Sequence, residues 1–392
     1  MSSPYRFDRI HLIVLDSVGC GCALDADDFG DAGANTLGHI LESTAPRLPN
    51  LESLGLRELL GLSFDRSISR SGCISRLREL SSGKDTLTGH WELAGIVTEE
   101  PFPVYPDGFS DALIKQIEVL SGRGVLCNRP ASGTAVIEEY GQQHLETGSI
   151  IVYTSADPVL QIAAHEDVVP IEELYSICES VRSITLDQPN KVARVIARPF
   201  IGEPGSFIRT SNRRDYALDP SEPTVLDSLA EHGLDVIGIG KINDIFNGNG
   251  ITSAVHTSSN EEGMQIATDV LNHGFEGLSF TNLVDFDAKY GHRRDVSGYS
   301  AALERFDECL GRFLDVLTDQ DLLMITADHG NDPTYLGTDH TREMVPLILF
   351  SPSLHRHVRV PDGLYLDVAA TIMDNFGISY HGFGSSLLPV LS

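Results

Sequence analysis

Positive charge is scarce in this chain of 392 residues: 28 Lys and Arg stand against 56 Asp and Glu, for a formal charge of −28. A nucleic-acid partner requires a basic footprint that displaces counterions from phosphates, so that class is excluded. Long apolar runs are missing as well. Stretches such as 12–15 and 322–325 have strand length, far short of the ~20 residues of a membrane span, and no membrane partner is expected. The first ten residues are polar and charged with no apolar core, so no secretory leader is expected and the expected location is the cytoplasm. Cys20, Cys22, Cys73, Cys127, Cys178 and Cys309 form no Cys-x-x-Cys pair, which favours reduced thiols over a disulfide framework or a zinc ribbon. Internal repeats and low-complexity tracts are absent too. What is present is a globular composition, with 41% apolar and 21% charged residues, on a chain long enough for two domains or one domain with an insertion.

Short apolar runs at 10–15, 150–153, 192–196, 234–239, 278–284, 321–326 and 345–350 read as buried strands. Between several of them lie helix-period segments, as in Leu303, Phe306, Leu310, Phe313, Leu314 and Leu317. This alternation predicts an α/β fold. Two stretches rich in Pro and charge or aromatics, 99–107 and 213–223, are candidate domain crossings. They divide the chain into a core built from 1–100 and 219–392 and an inserted domain over 101–218.

Several strands end in metal-type ligands. The first runs into Asp16, the run 278–284 into Asp285, Asp287 and His292, and the run 321–326 into Asp328 and His329, with His340 eleven residues further on. Carboxyl ends of strands in open α/β sheets face the ligand crevice, so residues distant in sequence can converge there. Singly, an Asp after a strand reads as a helix N-cap and a His in a Gly-rich loop as a surface residue; it is their coincidence that points to metal. Three carboxylates with three imidazoles suit Mn²⁺, Zn²⁺ or Fe²⁺ better than Ca²⁺. The segment 81–92, SSGKDTLTGHWE, places small residues, one cation and two threonines ahead of an apolar helical stretch holding the only Trp. A hydroxyl there sits near backbone N–H groups that favour a phosphoryl group. It does not match a Walker A loop.

Together these segments, with Val14 to Gly19, Asn35 to His39, Tyr153 to Asp157, Arg194 to Phe200, Asp285 to Asp295 and Thr326 to Glu343, resemble the bacterial phosphopentomutases of the alkaline phosphatase superfamily, in order from about residue 8 to the C-terminus. The resemblance implies an alkaline-phosphatase-like core sheet with helices on both faces, carrying a smaller α/β cap. It implies two Mn²⁺ ions, one held by Asp16, Asp328 and His329 and the other by Asp287, His292 and His340, with Thr86 as the phosphorylated nucleophile between them. Asp157, Arg194, Arg209 and Lys241 match the family's substrate-contacting positions: the cations would grip the phosphate that is not transferred, and Asp157 a sugar hydroxyl. The implied reaction interconverts α-D-ribose 1-phosphate and D-ribose 5-phosphate, and the 2-deoxyribose pair, in nucleoside salvage, primed by a sugar bisphosphate such as glucose 1,6-bisphosphate. Cys20 and Cys22 depart from the expected pattern and read as small buried thiols; Arg214 stands where relatives often carry His, and its role is open. The rival readings are a phosphatase or another mutase on the same core, such as a phosphoglycerate mutase, and a non-catalytic, metal-stabilised binding protein.

Overall fold

The computed structural model describes residues 5–64, 67, 70–155 and 158–391. The chain forms two compact units, Met1–Glu100 with Pro220–Ser392, and Pro101–Asp219. No described helix is long and apolar enough to cross a membrane.

The first unit is built on a mixed sheet in the order Ser253–Val255, Asp235–Ile239, Gly277–Leu283, Arg9–Leu15, Asp321–Thr326, Val345–Phe350, Gly72–Arg78, His357–Arg359, with Gly363–Leu364 also pairing to Gly72–Arg78. The first five strands are mutually parallel, and Val345–Phe350 runs antiparallel to both of its neighbours. Strands Gly277–Leu283, Asp321–Thr326 and Val345–Phe350 are buried at every position, the signature of a sheet covered on both faces. The α/β expectation therefore holds, and all seven apolar runs are strands. The run at 192–196 begins at Arg194 and continues to Ile201. The helix anticipated around Leu303 to Leu317 spans Val296–Val316, with Leu317 as its C-cap.

Register is what makes this sheet a scaffold. Leu15 lies opposite Leu283, and Val14 opposite Thr326. Asp16, the turn carrying Asp287, and Asp328 thus leave three adjacent parallel strands at one edge. Strand Gly72–Arg78 escaped the sequence reading because Arg76 and Arg78 interrupt its apolar pattern.

The second unit has its own sheet, in the order Val125–Pro130, Ile150–Thr154, Val159–His165, Arg194–Ile201, Ile208–Arg209, with Arg214–Ala217 also pairing to Arg194–Ile201. Alternation separates its two faces. On one, Val152, Leu160, Ile162, Val195 and Ala197 pack with Leu113, Ile117, Leu174 and Val181 from helices Asp111–Ser121 and Ile171–Ser183. On the other, Ile151, Ala163 and Phe200 pack under Val136 and Ile137 of helix Gly133–Thr147.

Candidate metal centre

Asp16, Asp328 and His329 are each at most 1% exposed. His329 Nε2 lies 3.6 Å from Asp16 Oδ1 and 3.4 Å from Asp328 Oδ2. Asn282 donates to Asp16 Oδ2 at 2.9 Å, and the Ser17 N–H donates to Asp328 Oδ1 at 3.0 Å. The opposite oxygens, Asp16 Oδ1 and Asp328 Oδ2, are buried with no hydrogen-bond partner. His90 Nδ1 is 3.2 Å from Asp328 Oδ2, but its proton is taken by the Thr86 carbonyl at 2.8 Å. Asp16 caps no helix among the described residues, so the ordinary role for an Asp after a strand does not apply to it.

Asp287 stands on a π-helical turn, Phe286–Gly291. Its carboxylate is 3.1 Å from His292 Nε2 and 3.5 Å from His340 Nε2, and it accepts from Asn331 Nδ2 at 2.7 Å. The rings of His329 and His340 stack with centroids 3.9 Å apart.

All three imidazoles direct Nδ1 at a backbone carbonyl: His292 at Thr338 (2.7 Å), His329 at Gly330 (3.1 Å) and His340 at Lys84 (2.9 Å). That fixes the tautomer with the proton on Nδ1 and turns each Nε2 lone pair inward. The Nε2 atoms of His292 and His340 are only 3.2 Å apart. Two lone pairs at that distance repel unless an electrophile lies between or beside them.

The charge balance points the same way. Burial, reinforced by Asp328 and Asp287, raises the Asp16 carboxyl well above the usual carboxylate range. Burial acts against Asp287 and Asp328 too, yet His340 and then His292 hold Asp287 well below that range, and His329 and then His90 lower Asp328. Burial lowers His329, keeping it neutral and ligand-competent. Orphaned carboxylate oxygens and converging lone pairs fit a divalent cation and little else. The ligand atoms form two groups, Asp16, Asp328 and His329, and Asp287, His329 and His340, each within 4.8 Å. His329 belongs to both, and His292 adjoins the second.

Thr86 opens helix Thr86–Leu93, whose N-cap Asp85 accepts from the Leu87 and Thr88 N–H groups. Thr86 Oγ1 is 3.3 Å from His329 Nε2. This approach depends on Gly89, where a Cβ would fall 2.0 Å from the Asp328 carbonyl oxygen. Arg342, 2% exposed, straps the Thr86 loop to the His340 loop. It donates to Glu79 Oε2 (2.5 Å), the Gly83 carbonyl (2.6 Å) and Asp25 Oδ2 (2.9 Å). Its own N–H and the Lys84 ammonium share Asp31 Oδ2.

The remaining expected residues fall in two places. Lys241 caps the turn Ile242–Ile245 in the first unit, and its charge reaches Asp16. Arg194 and Arg209 lie in the second unit, on a patch also formed by Arg198, Arg213 and Tyr153. There Arg194 and Arg213 share Asp215 (3.4 and 2.6 Å), Arg198 donates to Gln161 (3.0 Å), and burial, then Arg213, lowers Arg198 to about 10. Tyr153 Oη and Arg194 Nε are buried without hydrogen-bond partners. Asp157 lies outside the described residues. Cys20 is buried, but Cys22 is exposed, which corrects the expectation of two buried thiols; neither falls in a ligand group among the described residues. Arg214 lies over the rings of Tyr175 and Tyr216. Sequence reasoning missed Asn282, Asn331, His90 and Arg342 as supporting groups. Asn282, a polar residue in a wholly buried strand, was the readable signal.

Residues 8–380 match the model of the metalloenzyme superfamily, and the chain belongs to it. Among solved structures, it is similar to the PH0037 protein from Pyrococcus horikoshii (15% identity, TM-score 0.49, covering 97% of this chain and 100% of that one). It is similar also to Leishmania mexicana phosphoglycerate mutase (13%, 0.48, 98% of each chain) and to an alkaline phosphatase from the Antarctic bacterium TAB5 (10%, 0.39, 96% and 99%).

Proposed function

We propose that this member of the metalloenzyme superfamily is a phosphopentomutase that works through a phosphothreonine at Thr86. The observation that carries the phosphotransfer reading is Thr86 Oγ1 at a helix N-terminus, 3.3 Å from a ligand nitrogen shared by both metal groups. The choice of pentose phosphates rests on the motif resemblance. Asp16, Asp328 and His329 would hold one ion, and Asp287, His340 and His292 the other, with Mn²⁺ favoured by the imidazole content. Bound divalent ions would supply an acidified Thr86 hydroxyl and neutralise charge on a transferring phosphoryl group.

The chain's own residues do the rest. Phospho-Thr86 hands its phosphoryl group to the free hydroxyl of an incoming pentose phosphate: the P–O bond to Oγ1 breaks, a P–O bond to the sugar oxygen forms, and the sugar hydroxyl proton ends on the released Thr86 oxygen. Thr86 then takes back the other phosphoryl group of the bisphosphate by the reverse step. Asp85 takes the Leu87 and Thr88 N–H groups and its carbonyl that of Gly89, so the Thr86 N–H and the positive end of the helix are what this N-terminus would offer the phosphoryl group. The arginines at 194, 198, 209 and 213, of which Arg194 and Arg213 are ion-paired to Asp215, favour the second unit, on a chain of net charge −28, as the holder of the phosphate that is not transferred. Acting as a cap, that unit would also keep water from phospho-Thr86, which separates a mutase from a phosphatase.

The test is turnover of ribose 1-phosphate, with 3-phosphoglycerate as the rival substrate, by Mn²⁺-loaded enzyme primed with glucose 1,6-bisphosphate. Thr86→Ala is expected to lose several decades of activity and the phosphopeptide spanning 84–90, while Thr86→Ser keeps part of both. Phosphate found on another residue, or conversion of phosphoglycerate alone, overturns the assignment.

A further inference from the structure

Just beyond the π-helical turn, Arg294 has φ +55°, in the left-handed region that a non-glycine residue adopts only at a cost. Gly or Asn would meet that backbone more cheaply, so an arginine here points to a demand for its side chain. The residue is half-buried, and its guanidinium ends on five uncharged oxygens. Nε donates to the Gly337 carbonyl at 2.6 Å and Nη2 to the Asp339 carbonyl at 3.1 Å. Nη1 is shared by the carbonyls of Gly291 (3.1 Å) and Asp332 (3.0 Å) and by Asn331 Oδ1 (2.5 Å).

These acceptors adjoin the ligands of one metal group. Asn331, fully buried, donates from Nδ2 to Asp287 Oδ1 at 2.7 Å. An arginine only donates, so it holds Asn331 Oδ1 toward itself and leaves the amide one orientation, with N–H toward Asp287. Reversed, the amide would set an oxygen against the carboxylate. Thr338, whose carbonyl takes the His292 Nδ1 proton, lies between the two loop carbonyls that Arg294 holds. That loop has little else to fix it: residues 334–340 form neither helix nor strand, and 336–339 are exposed. His340 follows Asp339 directly, with its N–H on Asp339 Oδ1 at 2.8 Å. The first group is braced differently. Asp16 is held by Asn282, Asp328 by the Ser17 N–H and His329 by the Gly330 carbonyl, none of them an acceptor of Arg294.

We propose that Arg294 is a positioning residue that assembles Asp287, His292 and His340, so that the affinity of the second ion, and not of the first, depends on its guanidinium fork. The inference rests on the two-ion reading given above. Losing a group that orients metal ligands weakens metal binding by about 10- to 100-fold. Lysine supplies the charge at a single point and lacks the fork that reaches both loops.

The test counts ions on the full chain after equilibrium dialysis against graded Mn²⁺ and locates them by anomalous diffraction at the manganese edge. The parent should show two peaks, one among Asp16, Asp328 and His329 and one among Asp287, His292 and His340. Arg294→Gly suits the left-handed backbone but removes the fork, and it should weaken the second ion at least tenfold with the first unchanged. Arg294→Lys should fall between, and it carries the same site-selective expectation if the Gly variant does not fold. Electron paramagnetic resonance at intermediate Mn²⁺ gives an independent reading, a spin-coupled pair in the parent and a single ion in Arg294→Gly. A parent that binds fewer than two ions overturns the two-ion reading and this role with it. Two ions in the parent, with variants that hold both as tightly or lose both alike, overturn the role of Arg294 alone.

Discussion

Replacing Gly89 by Ala separates two physical effects of opposite sign. On helix propensity alone, Ala inside helix Thr86–Leu93 should stabilise by roughly 0.5–1 kcal/mol. The structure argues the reverse, because the new methyl would sit 2.0 Å from the Asp328 carbonyl oxygen and 2.8 Å from its carbon. A comfortable C···O contact is about 3.3 Å, so the helix or the Asp328 backbone must retreat by more than ~1 Å. Overpacking of this kind destabilises by about 1–3 kcal/mol. The retreat falls directly on the 3.3 Å approach of Thr86 Oγ1 to His329 Nε2, and a misplacement near 1 Å can cost about 10²-fold in rate. The assay, which rests on the proposed function, is steady-state turnover of ribose 1-phosphate at saturating Mn²⁺, paired with thermal denaturation and metal analysis. Gly89→Ala is expected to retain folded protein with a lower Tm and about one hundredth of the turnover. A variant more stable than the parent and equally active would show that the close approach does not constrain the site.

Arg342→Met should strand Glu79 in the interior, lowering stability by about 3–5 kcal/mol and loosening metal retention, while Arg342→Lys restores charge without the fork and recovers only part of either; thermal denaturation and dialysis followed by metal analysis read both. Stability should also fall in acid through Asp321: burial opposes its charge, yet hydrogen bonds from His11 and Thr318 hold its carboxyl down to about 2. Because the folded value lies below the unfolded one, this contribution of ~2 kcal/mol is present above about pH 4 and disappears between pH 4 and 2. Asp321→Asn should flatten the stability profile in that window, and an unchanged profile would refute the assignment.

The sheet was legible because its parallel strands are rich in apolar residues, and because Asp16, Asp287 and Asp328 follow them closely enough to share one edge once register is fixed. Gly72–Arg78 was not, since an alternating strand with two arginines carries little apolar signal. The π-helical turn was illegible for a different reason. Its sequence, FDAKYG, combines Gly and charge as a loop would, and only the packing of Phe286 against Tyr299 and Phe306 makes it helical.

The metal centre divides along the same line. Ligand identity is a property of side chains, so Asp16, Asp287, His292, Asp328, His329 and His340 could be nominated from their types and their places after strands. Ligand orientation is a property of the backbone. The three imidazoles are aimed by the carbonyls of Thr338, Gly330 and Lys84, and every residue owns a carbonyl, so no residue type marks these positions. His90 and Asn282 show the intermediate case: they meet at 3.3 Å across 192 residues of chain, and their role as a buried brace behind Asp16 and Asp328 arises only when two strands and a helix N-terminus converge. The orphaned oxygens Asp16 Oδ1 and Asp328 Oδ2 complete the logic. Asp16 spends one oxygen on Asn282 and Asp328 one on the Ser17 N–H, and each leaves the other bare, an arrangement that would be expensive in a structural core and is the one a cation requires.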